Sequence, residues 1–386
     1  MAILNCVRCK ASGRFNLLLI DSFSRPSVTH RCAIENQPPT NTWHLPAAQF
    51  GSACSLVAVV MSDSVNESDG MCASRNDGCI DAVGVGSKPF LELFVMASGI
   101  DHRRIGACLF CQEFWMELYA LYEINLVRVE VKTVNVNSEP FKRSFLGALP
   151  PILFEAENGS MFTDNREIER RIFHIAKEFK VPLFEKDVTV DKSIESLYRN
   201  FKLFLRSKTD YERGKEVVSN DIPACAQPAY NKLIEQLTNI DKLLAQRNTR
   251  YLVGSSMTMY DCELMPRLHH IRIAGEHLCG VEIPHALTHL WNYMLTAYRT
   301  AAFIESCPAD QDICYHYREQ LNWPHRLKEY LQTPTKTHTI PDDVLSEIKQ
   351  LGLDKFINHN VPHRIYYAWH IMGFIFCKAW KIIFTK

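Results

Sequence analysis

This 386-residue sequence has no excess of charge of either sign and no long uncharged apolar run. Lys and Arg number 43, and so do Asp and Glu. Phosphate backbones are bound through clustered cationic charge, so a balanced chain argues against nucleic acid as a partner. The sequence holds no uncharged apolar stretch of about 18 residues, which excludes a multi-span membrane protein. No secretory leader is expected either. MAILNCVRCKASGRF places Cys and Arg where an apolar core should build up. Disorder throughout is excluded in turn, because 47% of residues are hydrophobic and 22% charged.

Cysteine is plentiful, at 14 residues. Without a leader, these read as mostly free thiols in a reducing cytosol rather than as a disulfide framework. Six of them fall before residue 88, in a stretch rich in Ser, Asn, Asp, Gly and Pro that keeps no period of 2 or 3.6. We expect low order over 1–87. Cys6-x-x-Cys9 is half a zinc motif, but Cys72 and Cys79 are too widely spaced to complete it.

Periodicity begins at Lys88. Leu91 to Met96 reads as a strand and Phe114 to Ile124 as a helix, with Phe114, Leu118 and Leu121 on one face. Leu126 to Val136 alternates apolar and polar residues, as a half-buried strand does. A short helix follows over Ser138 to Phe145. Ile152 to Phe154 and Met161-Phe162 flank the hairpin signal Asn158-Gly159. A third helix covers Asn165 to Phe179, with Ile168, Ile172, Ile175 and Phe179 facing the core. The predicted order is β-α-β-α-β-β-α. Val181 to Phe184 reads as a linker. Helical periods dominate beyond it, including 194–205, 230–244, 262–274 and 289–298. The sequence thus divides into an extension over 1–87, an α/β domain over 88–181, an all-α domain over 182–320 and a proline-interrupted tail over 321–386. The one clear helix of the tail is Asp343 to Leu351.

Chemistry concentrates at Cys108-Leu109-Phe110-Cys111, between the first strand and the first helix. A thiol at a helix N-terminus meets unpaired N–H groups and the positive end of the dipole, and both favour thiolate. The second cysteine, inside the first turn, can resolve a mixed disulfide. C-x-x-C after the first strand of a β-α-β pattern is a thioredoxin-like redox signature. Two unreactive core cysteines are the alternative. Leu149-Pro150-Pro151-Ile152 offers a candidate cis bond before a core strand, with an ordinary trans proline as the other reading. Thr163-Asp164-Asn165 is either a plain N-cap or a hold for the charged end of a γ-glutamyl group, and the two are compatible. Thr258-Met259-Tyr260-Asp261 is a capping box with Asp in place of Glu. The histidine pairs His269-His270 and His285/His289 read as core or surface residues, and no metal is expected.

Taken together, the segments KPFLELFVMASG, IGACLFCQEFWMELYALYEI, LPPILFEAENGSMFTDNREIE, MYDCELMPRLHHIRI and HLWNYMLTAYRTAAFIESCPAD resemble the chloride intracellular channel family. These proteins are relatives of the omega-class glutathione transferases. The match covers about 88 to 318 and looks nearest to the nematode branch associated with the excretory canal. It implies the glutathione-transferase architecture, a thioredoxin-like N-domain plus an all-α C-domain with poorly ordered flanking extensions. It also implies glutathione as cofactor, cytosolic and membrane-associated forms, chloride transport, and lipid, cytoskeletal or small-GTPase partners. By position, Cys108 matches the reactive cysteine and Phe110 the aromatic of the motif. Leu149 and Pro151 match the cis-proline loop, and Thr163 and Asp164 the γ-glutamyl contact. Leu109 stands where many members carry Pro.

The segment this family is thought to insert corresponds to Cys108 through Val131. It carries Glu113, Glu117, Glu123, Arg128 and Glu130, each costing about 2.5–3.5 kcal/mol at a bilayer centre. Ile365 to Phe384, aromatic and flanked by lysines, suits the headgroup region instead. The function expected is thiol–disulfide chemistry at Cys108, with Cys111 resolving, in a protein that moves between cytosol and membrane. A glutathione-dependent oxidoreductase without channel activity, or a non-enzymatic membrane scaffold, is the alternative.

Overall fold

A computed structural model describes residues 58–60, 88–213, 221–323, 330 and 332–356. Cys6, Cys9, Cys72, Cys79 and the apolar stretch 365–384 lie outside the described residues. Of the extension before Lys88, Ala58–Val60 is described, as strand β1.

The predicted order is found. It runs β2 (Phe90–Met96), α1 (Leu109–Glu123), β3 (Arg128–Val134), α2 (Glu139–Phe145), β4 (Ile152–Glu155), β5 (Ser160–Phe162) and α3 (Asn165–Glu178). The sheet order is β1-β3-β2-β4-β5, with β2 and β3 parallel and the other neighbours antiparallel. Leu91, Leu93 and Val95 of β2 are fully buried. The opposite face is partly covered, since Phe94 meets Phe145 of α2 edge-on at 4.9 Å. Lys132 reaches across to Glu92 of β2 at 2.8 Å and along its own strand to Glu130 at 3.2 Å. Gly159 turns the β4–β5 hairpin at φ +70°, a conformation that favours glycine.

Ile168, Ile172 and Ile175 pack inward from α3 as expected, but Phe179 does not. The helix ends at Glu178, Phe179 becomes its C-cap, and the departing chain leaves that ring 42% exposed. The segment read as a linker is a single 3-10 turn, Pro182–Phe184, whose Leu183 is fully buried.

Among the described residues, helices then follow without strands: α4 (Val188–Ile194), α5 (Leu197–Glu212), α6 (Gln227–Arg247), α7 (Met259–Cys279), α8 (Thr288–Ala297), α9 (Ala301–Ser306) and α10 (Asp310–Gln320). α7 is buried nearly all round, which makes it the axis of the helical unit. Its start is fixed by Asp261, as the capping box predicts. That fully buried carboxylate accepts from the N–H groups of Thr258 (2.8 Å) and Leu252 (3.0 Å) and from the Tyr293 hydroxyl (2.9 Å).

The described part of the tail is more closely attached than its prolines suggest. α11 (Asp342–Gln350) buries Val344 and Ile348. His285 Nδ1 lies 2.6 Å from an Asp343 carboxylate oxygen. Further back, Asp310 receives the Thr337 N–H at 3.0 Å.

α1 joins the sheet to the helical unit, packing on β2, β3, α3, α7 and α9. This is why it is buried on nearly every side rather than along the one stripe its periodicity marks. A polar tie reinforces the joint. Buried Asp312 of α10 accepts from Ser98 and from Arg104, whose Nε lies 2.5 Å away.

Glu123 ends α1, where the negative end of the helix dipole disfavours a carboxylate. Burial pushes its pKa up to about 7, with Arg250 opposing. The folded state therefore prefers the protonated acid, and stability falls as pH rises from about 4.5 to about 7 and levels off above that. We expect Glu123→Gln to raise stability by about 1–2 kcal/mol near pH 8, after discounting for partial solvent screening. The gain should fade as pH falls to 4.5 and below, where both states come to hold the proton. Thermal melts at the two pH values check this.

Candidate functional site

Strand register alone brings the predicted residues to one edge of the sheet. Phe94 pairs with Ile152, so the prolines before Ile152 lie beside the end of β2. Leu153 pairs with Phe162, so Thr163 and Asp164 emerge at the same edge. Residues 97–107 fold back on this edge through the Ala97–Ile105 bridge and a 2.8 Å bond from Gly106 N–H to the Met96 carbonyl. A Cβ on Gly106 would stand 2.6 Å from the Ala97 oxygen, so only glycine permits this approach. The loop delivers Cys108 as the N-cap of α1, with extended backbone at φ −94° and ψ 113°.

Cys108 and Cys111 are not equivalent. Cys108 is half-buried, and its pKa is lowered. The largest cause is donation from the Cys111 thiol, joined by the N–H groups of Cys111 and Phe110, while burial and Glu113 oppose. Cys111 is 2% exposed, and burial raises its thiol well above the usual range. The Met96 N–H lies 3.5 Å from its sulfur. Both are free thiols, as are the other described cysteines. The arrangement matches a nucleophile held at a helix start with a protonated partner behind it. Phe110 is half-buried and packs against the core beside them.

The candidate cis bond before the core strand is present. The cis bond lies between Pro150 and Pro151. The residue directly before the bend is therefore Pro150, and Leu149 stands one position further away with its side chain 61% exposed. Pro150 has no N–H, so at this position the backbone can accept a hydrogen bond but cannot donate one. At the third corner Thr163 and Asp164 are both exposed. The Asp164 carboxylate accepts from the Arg166 N–H at 2.9 Å and so caps α3.

Sequence reasoning missed the wall that α5 and α7 set opposite this edge. Tyr198 of α5 is close enough for Cys108 to influence its ionisation. Burial is the main cause of its raised pKa, and a hydrogen bond with Tyr317 and the charge of Arg267 oppose. Lys202 and Arg267 both lie about 6.0 Å from the Tyr198 ring. Tyr198 and Lys202 are four residues apart on one helix, a spacing visible in YRNFK but read only as helix. Arg267 sits in MYDCELMPRLHH, read only for its cap.

The histidine pairs behave differently from one another. His270 Nδ1 meets the Tyr317 hydroxyl and His269 Nδ1 the Tyr298 hydroxyl, each at 3.1 Å. Both imidazoles are fully buried, and burial holds them neutral.

No protein-family model matches the chain. It is 67% identical over 274 residues to chloride intracellular channel exc-4 of Caenorhabditis elegans, covering 70% of this chain and 94% of that protein. It is 42% identical over 260 residues to chloride intracellular channel Clic of Drosophila melanogaster, covering 66% of this chain and 92% of that one. Among solved structures it superposes on the crystal structure of the C. elegans homologue EXC-4 with a TM-score of 0.68, at 66% identity, covering 71% of this chain and 97% of that chain. The architecture expected from the resemblance, a thioredoxin-like unit joined to an all-α unit, is the one observed. On this identity and coverage, the chain belongs to the chloride intracellular channel family.

Proposed function

We propose that this protein performs thiol–disulfide exchange through Cys108 on glutathione disulfide or protein disulfides, in a form that moves between cytosol and membrane. The observation that carries the reading is the asymmetry of the pair. An accessible sulfur with lowered pKa sits at a helix start, backed by a buried sulfur that keeps its proton. The Cys108 thiolate attacks one sulfur of the disulfide. A Cys108–glutathione bond forms, the old S–S bond breaks, and one glutathione leaves as thiolate to be protonated by water. Cys111 then loses its proton and attacks the Cys108 sulfur, releasing the second glutathione and leaving an internal disulfide. Burial of Cys111 slows this second step, so the mixed disulfide accumulates.

For the ligand itself, the N-terminus of α3 at Thr163 and Asp164 would receive the γ-glutamyl end. The Leu149–Pro151 loop would meet the cysteinyl backbone, and Phe110 would line the floor.

Chloride transport, which the relatives' names carry, would draw on another arrangement of residues 108–131. In the present one Glu113 and Glu117 are buried inside the protein. No helix among the described residues is long and apolar enough to cross a membrane. A channel that uses this segment should carry chloride into liposomes with the full chain and lose the flux when residues 1–181 are removed. Equal flux from both would place the conducting element elsewhere.

Incubation with oxidised glutathione followed by intact mass tests the thiol chemistry. We expect one adduct per chain, mapped to Cys108. It should be absent in Cys108→Ser and longer-lived in Cys111→Ser. Labelling at Cys225, an exposed cysteine, with none at Cys108 would defeat the proposal.

A further inference from the structure

Three side chains from distant parts of the sequence converge away from the thiol site. His269 comes from the middle of α7, Cys307 follows α9, and His338 lies in the extended segment before α11. One donor atom from each lies within 4.8 Å of the others. No local spacing announces this group, because the ligands are about thirty residues or more apart.

Two of the three donors lack the partners that a purely structural cluster would supply. His269 Nδ1 is occupied by the Tyr298 hydroxyl, which leaves Nε2 buried without a hydrogen bond. His338 Nε2 is likewise buried and unbonded. Orphaned polar atoms in an interior are costly and call for an explanation. The Cys307 sulfur is fully buried, 3.4 Å from the Pro308 carbonyl, with Gln112 adjoining.

The surroundings fit a closed metal centre. Tyr298 stacks on His338 at 5.4 Å, and Phe303 stands 5.5 Å from His269 and 5.7 Å from His338. These rings fix both imidazoles and exclude water. The Asp310 carboxylate comes within 3.8 Å of His269 Nε2 and is itself oriented by Thr337, whose hydroxyl lies 2.7 Å away. Arg272 and Lys336 bring positive charge near His269. A Cys307 thiolate and the Asp310 carboxylate would offset both that charge and the metal's.

We propose that His269, Cys307 and His338 form a structural zinc site, with Asp310 in the fourth position, that clasps the segment around His338 to α7 and the end of α9. Nitrogen and thiolate donors in a tetrahedral set select zinc over hard cations. Binding forms one Zn–S and two Zn–N bonds and releases the Cys307 proton to solvent. With bonds of about 2.0–2.3 Å, the donors must draw together by about 1 Å. His338, half-buried on an extended segment outside the helices, is the residue placed to make that adjustment.

The test uses the full chain with added zinc. One zinc per chain should survive a weak chelator, and cobalt in its place should show a thiolate charge-transfer band. Cys307→Ser should abolish that band. His338→Ala, which alters a half-buried side chain outside the core helices, should weaken zinc by about a hundredfold and remove zinc-dependent protection of this segment from protease. Cys108→Ser should leave all of these unchanged. No retained zinc, or zinc unaffected by both Cys307→Ser and His338→Ala, would overturn the assignment. In the second case the metal would belong to cysteines elsewhere in the chain.

Discussion

The burial of α1 between the sheet and the helical unit is the constraint on which the site depends. Leu118 and Leu121 anchor it to the core, and α7 and α9 close it from the other side. Its N-terminus is thereby held at the end of β2, where Gly106 hydrogen-bonds to the Met96 carbonyl and the Met96 N–H meets the Cys111 sulfur. In that position Cys111 lies inside, where burial favours its protonated thiol, while Cys108 lies at the lip. The chemistry of the pair follows from position more than from residue type, since the two residues are identical.

The same burial explains why membrane insertion cannot be a small movement. Glu113 and Glu117 face the interior of the protein, and α1 carries the joint between the two units. Freeing residues 108–131 would expose the core that α1 covers and break the tie of Ser98 and Arg104 to Asp312. Any form that uses this segment in a bilayer therefore begins with separation of the sheet from the helices.

Much of this was legible in the sequence. Alternation gave β3, the apolar run gave β2, and Asn158-Gly159 gave the β4–β5 hairpin, because each signal is local. Cys108, Pro151 and Asp164 were found for the same reason: a helix start, a proline before a strand and an N-cap are short-range features. What escaped depends on distant contacts. Tyr198 and Arg267 reach the site only because α7 packs against α1 and α5 in turn packs against α7. Phe179 kept the helical period but fell past the helix end. β1 has too short a pattern to stand out, and it exists through pairing with β3. The meeting of His269, Cys307 and His338 required a proline-broken tail to lie along α7, which no periodicity predicts.

The most direct test of the central claim is an ultraviolet titration of the thiolates in the folded chain, wild type against Cys108→Ser. The account predicts one thiol ionising below the ordinary cysteine range, missing from the variant, with Cys111 silent until far higher pH. Identical curves for the two proteins, with no early thiolate, would contradict it.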